Sequence, residues 1–205
     1  VSNHVSRRLA SPTRIALTLA TAGCLAATLV PVAAAPASAA YCDPAASARS
    51  PGGGADAARL AVACLINAER TQRGLQPLTS NPSLTAAAQQ HTAAAVQLKW
   101  WGPGKDAHTN PQTGSTPQSR IKAAGYCPNP RSWAVAEIAY TGWGTSGTPK
   151  AAVTWWMNSP GHRNIILDGS LREYGSWAQE GAADPAGAGA SGAGTYVVTF
   201  GRCQQ

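Results

Sequence analysis

Thr148-Pro149-Lys150-Ala151-Ala152-Val153-Thr154-Trp155-Trp156-Met157-Asn158-Ser159-Pro160-Gly161-His162-Arg163 is the most informative run in the chain. Thr148-Pro149 pairs a side-chain cap with a proline at the first helical position, where the missing N–H costs nothing. The spacing predicts a helix from there through Trp155 and Trp156, stopped at Ser159-Pro160-Gly161. His162 then follows in a tight turn. A histidine held in that way serves as a metal ligand, a general base or a cap for helix carbonyls.

The same opening recurs upstream. Asn81-Pro82 starts a helix with Leu84, Ala87, Ala88, His91, Ala95 and Leu98 on one face, and Thr116-Pro117 starts a shorter one that stops at Gly125. Ala57, Leu60, Ala61, Cys64, Leu65 and Ala68 recur at helical spacing, with Gly74 as the stop. Residues 133–140, 173–179 and 195–201 carry the β-branched and aromatic content of strands. Between the last two lies Gly181–Gly194, small-residue and low in complexity, expected as a mobile hairpin loop. Helices followed by a terminal hairpin predict an α+β domain.

Composition narrows the class. Of 205 residues only 12% are charged, against 44% hydrophobic, with seven Trp, 21 Gly and 15 Pro. Too little charge and too much Trp exclude charge-driven disorder, and the Pro and Gly content excludes a coiled coil. Residues 1–40 read as a secretory signal peptide: Arg7, Arg8 and Arg14, an apolar run from Ile15 to Val30, then small residues around Ala37-Ser38-Ala39. The apolar run is shorter than the ~20 residues of a spanning helix. Without those 40 residues the net charge falls from +7 to +4, and the remaining basic residues are scattered singly. No nucleic-acid partner is expected from that distribution.

Export leaves Cys42, Cys64, Cys127 and Cys203 in an oxidising compartment, where four cysteines allow three pairings. Cys42 with Cys64 is the most local, and Cys127 with Cys203 would then pin a mid-chain loop to the last strand. Residues 41–56 read as a linker and 57–205 as the domain.

Short catalytic motifs are absent: no G-x-S-x-G, no H-E-x-x-H, no phosphate-cradling glycine loop. What remains is His108 in a polar loop, Glu137 alone among apolar residues, and His162. Glu137 sits inside a predicted strand, so its carboxylate needs a His or Arg partner. His91 falls on the apolar helix stripe and reads as a hydrogen-bonded core histidine. Asn67, Glu69 and Arg70 read as hydrogen-bonding architecture. Ser159, three residues before His162, has nothing visible to activate it as a nucleophile.

Several segments in order resemble the CAP superfamily (cysteine-rich secretory, antigen 5, pathogenesis-related) in its compact bacterial form. They are Leu65–Arg70 with Gly74–Leu78, Leu84–Ala88, His108, Arg120–Tyr126, Glu137, Trp156–Arg163 and Phe200-Gly201. The resemblance implies a three-layer α-β-α sandwich, its central antiparallel sheet of about three strands flanked by about four helices. It also implies a groove edged by two His and two acidic residues that hold a divalent ion such as zinc. His108, Glu137 and His162 match three of the four, whereas the fourth position offers Asn158 or Ser159. The resemblance implies two functions. One is a secreted, extracellular, monomeric binding domain whose groove (His108, Glu137, Ser159, His162) takes a lipid, peptide or cell-wall component. The alternative is a divalent-metal-dependent hydrolase with metal ligands His108, Glu137 and His162.

Overall fold

In the computed structural model residues 42–205 are described; the expected export segment, residues 1–40, lies outside the described residues. The proline junctions start helices as their chemistry dictates. The Asn81 side chain accepts from the Ser83 and Leu84 amides at the head of α3 (Pro82–Leu98). Thr116 and Ser119 form a reciprocal capping box on α4 (Pro117–Ala123). Thr148 accepts from Ala151 N at the start of α5 (Pro149–Asn158). Ser159-Pro160, expected as a stop, is another such junction: it ends α5 and opens α6 (Pro160–Ile166). His162 therefore sits in the first turn of a helix rather than in a turn after one.

The long helix α2 (Ala55–Thr71) is preceded by α1 (Pro44–Ser47) and a 3-10 turn at Pro51–Gly53, both within the stretch expected as a linker. Cys42–Cys64 ties that stretch to α2, and Cys127–Cys203 ties the segment after α4 to the last strand. At the far end of α2, the fully buried Arg70 donates to the carbonyls of Gln76, Ile166, Asp168 and Leu171 at 2.7–3.5 Å. Asn67 exchanges two hydrogen bonds with the Leu78 backbone.

Four strands form one sheet in the order β1-β3-β4-β2: β1 (Thr79–Ser80), β2 (Ser132–Gly142), β3 (Glu173–Glu180) and β4 (Gly194–Gln204). The three long strands are antiparallel, as expected. The two-residue β1, too short to announce itself in sequence, adds a parallel pairing to β3. Side-chain alternation sorts β2 between two helical layers. Ala136, Ile138 and Tyr140 pack with Val62 and Ile66 of α2, Trp156 of α5 and Ile166 of α6. On the other face, Val135 packs with Leu84 and Ile121, and Ala139 with Ala88 and Ala95, from α3 and α4. Gly175 permits this closeness: a Cβ there would sit about 2.0 Å from the Thr85 amide nitrogen at the head of α3.

The two ends of the segment 181–194, expected as a mobile loop, are packed down, whereas Pro185, Ala186, Ala188, Gly189, Ser191 and Gly192 between them are exposed. Ala182, Ala183 and Ala193 are buried, Ala183 N donates to Thr141 Oγ1 (3.0 Å), and Ala183 O accepts from Trp101 N (3.1 Å). Small side chains allow a close backbone approach at these ends, so low complexity there signals proximity rather than freedom.

Candidate functional site

Glu137 lies on the α3/α4 side of β2 with its side chain wholly buried. Three partners surround it from different elements. Arg120 Nη1 donates to Oε2 at 3.1 Å, and His108 Nδ1 donates to Oε1 at 2.9 Å. His91 Nε2 stands 3.8 Å from Oε1. Arg120 reaches this point because the capping box fixes the start of α4 one turn before it.

The guanidinium organises the remainder. Its Nη2 donates to His91 Nδ1 at 2.9 Å, to Ser115 O at 3.2 Å and to His108 O. Since His91 Nδ1 accepts, that ring is neutral and its proton is on Nε2, which donates to Ala107 O at 2.8 Å. Burial is the chief cause holding the His91 pKa below its ordinary value; Glu137 opposes the shift and Arg120 adds to it. Burial also lowers the pKa of Arg120, with Glu137 opposing. The sequence established that Glu137 needs a partner. It did not single out Arg120, which lies 17 residues away on a separate helix, and it placed His91 in the core without linking it to Glu137.

Beside this cluster opens a cleft of about 620 Å³ between the start of α4 (Thr116–Gln118), residues Trp133–Glu137 of β2, His108 and Ile165. The His108 side chain is 37% exposed there, with its Nδ1 held by Glu137. Ser159 and His162 are not part of this lining. They meet each other at the α5–α6 junction, Ser159 Oγ to His162 Nδ1 at 2.7 Å, against the Trp155 ring. The contact explains why Ser159 makes no side-chain cap on α6. Burial, and then the nearby His108, lower the His162 pKa.

The family model of the cysteine-rich secretory protein family, CAP, matches residues 64–199. The chain belongs to the CAP family. Two of the solved structures that share its fold are bacterial. An outer surface protein from Borrelia burgdorferi has a TM-score of 0.53 at 20% identity, over 70% of this chain and 90% of that one. An extracellular protein containing a SCP domain from Bacillus anthracis has a TM-score of 0.54 at 16% identity, over 74% of this chain and 41% of that one. The chain thus spans less than half of the Bacillus protein. No curated protein matches the chain in sequence.

Of the ion-holding residues implied for a CAP groove, Glu137 and His108 are bonded to each other, whereas His162 is bonded to Ser159. Glu137 accepts from Arg120 through one oxygen and from His108 through the other. Among the described residues, no group of three or more His, Cys, Asp or Glu is disposed to hold a metal ion. Glu137 instead orients the His108 ring from behind.

Proposed function

We propose that this CAP chain is a secreted, non-catalytic binding domain that takes a lipid, peptide or cell-wall fragment in the cleft beside Glu137. One observation carries the reading: the carboxylate and guanidinium nearest the cleft are bonded to each other and to two imidazoles. That leaves no carboxylate free to act as a base, while Pro117, Trp133, Ala136 and Ile165 supply apolar wall. A preformed cleft of this size falls within the ~300–1,000 Å³ typical of ligand pockets. Residues 1–40 would direct export, two disulfides suit an oxidising compartment, and the domain would act as a monomer.

Calorimetric titration with three probes tests this: a muropeptide, lysophosphatidylglycerol and an unstructured acetylated peptide. We expect one class to bind saturably, and Gln118→Trp, which blocks the mouth from an exposed position, to weaken it at least about tenfold. No saturable binding contradicts the reading, as does zinc-dependent turnover of any probe.

A further inference from the structure

The outer edge of β2 narrows the ligand class. Along β3, the Tyr174 carbonyl accepts from Asn81 N beside β1, so even-numbered β3 residues face β1 and odd-numbered ones face β4. Glu173 and Gly175 pair with Gly201 and Thr199, so the odd residues of β4 are turned towards β3 and its even residues towards β2. The register of β2 against β4 places Ser132, Ala134, Ala136 and Ile138 opposite Gln204, Arg202, Phe200 and Val198. Those even β2 residues bond to β4, and Trp133, Val135, Glu137 and Ala139 direct their N–H and C=O groups away from the sheet. An independent contact agrees: the Ala139 carbonyl accepts from Trp156 Nε1 at 3.0 Å, off the sheet.

Trp156 closes the edge at Ala139. Before it, Trp133, Val135 and Glu137 present three N–H and three C=O groups along the wall of the cleft. Donor and acceptor pairs repeating every two residues, about 6.8 Å apart, complement another extended main chain. A lipid tail offers no such repeat. The nearest charges, Glu137 and Arg120, already neutralise one another, so uncharged side chains suit the walls. A cleft of about 620 Å³ holds a few residues of one strand, not the edge of a second layered domain.

We propose that the cleft binds an extended, uncharged peptide segment as an added strand on β2, bonded to the main chain of Trp133, Val135 and Glu137. The proposal rests on the binding reading above and specifies its ligand class.

The test is NMR on the uniformly 15N-labelled, oxidised protein, titrated with an acetylated, amidated peptide of alternating Thr and Val. Its analogue N-methylated at every residue is the control. We expect the peptide to shift the Trp133, Val135 and Glu137 amides and slow their exchange at least about tenfold. Ala134 and Ala136, already in the ladder, exchange slowly throughout. The N-methylated analogue, which cannot donate along the edge, should bind at least about tenfold more weakly. Val135→Pro removes an outward N–H but no ladder bond and should abolish the effect. Equal binding by the analogue overturns strand addition. So does protection that grows with protein concentration without peptide, which would put a second copy on the edge. If lysophosphatidylglycerol or the muropeptide shifts Gln118 and Ile165 while the peptide does not, the cleft still binds a ligand and strand addition falls. If no probe shifts the cleft, both readings fall.

Discussion

Arg70 and Arg120 are both buried, at 0% and 4% exposure, yet they serve different regions. Arg70 bonds only to main-chain carbonyls, tying the end of α2 to the segments around Gln76 and between α6 and β3. Arg120 bonds to a carboxylate, an imidazole and two carbonyls, and its partners include His108 and Glu137 of the cleft wall. A buried guanidinium satisfied by carbonyls closes loops. One satisfied by a carboxylate and a histidine builds a surface with fixed ring orientations. The first is fold architecture; the second shapes the proposed site.

The largest expected effect separates the two. Arg120→Ala leaves Glu137 buried without its cation and should cost about 3–5 kcal/mol in urea unfolding at neutral pH. In a cycle with Glu137→Ala, the double variant should lose less than the sum by about 0.5–3 kcal/mol. Arg70→Ala deprives four carbonyls of a donor and should cost about 2–4 kcal/mol. Its cycle with Glu137→Ala should be additive within about 0.5 kcal/mol. Coupling between Arg70 and Glu137 would break the distinction.

Acid should discriminate between the regions as well. The folded state holds the His91 pKa below its ordinary value of 6.5, so the unfolded chain takes up a proton that the fold refuses. That stability is complete above pH 6.5 and is lost as pH falls towards the lowered value. Near Arg70 the titrating group is Asp168, whose pKa is lowered from 3.8 chiefly by the Ser170 amide. Its contribution survives until pH falls below 3.8. Hydrogen exchange should therefore loosen at His108 on acidification well before it loosens at Leu171. Simultaneous loosening would mean that His91 does not govern the Arg120 region.

Much of this was legible from local chemistry. Three of the proline junctions located α3, α4 and α5, and the solitary Glu137 announced that a cation had to meet it. Ser159-Pro160 carried the same signal, but Gly161 made it look like a stop. Which cation meets Glu137 was not legible, because Arg120 approaches across the tertiary fold and its own helix gives no sign of the need. The packing of the two ends of the segment 181–194 was hidden for a related reason. Alanine and glycine read as loose in sequence, while Ala183 here bonds to Trp101 and Thr141. The free edge of β2 depends on strand order, which composition and periodicity do not encode.

Charge-retaining substitutions test the central claim most directly. Lysine keeps the charge at either arginine but cannot span several acceptors with one ammonium group. Peptide titration, followed by the amide shifts of Trp133, Val135 and Glu137, would be run on wild type, Arg120→Lys and Arg70→Lys below their unfolding temperatures. We expect both variants to melt lower, with peptide affinity falling at least about tenfold in Arg120→Lys and staying within about twofold in Arg70→Lys. Equal loss in both variants, or unchanged affinity in Arg120→Lys, would contradict the account.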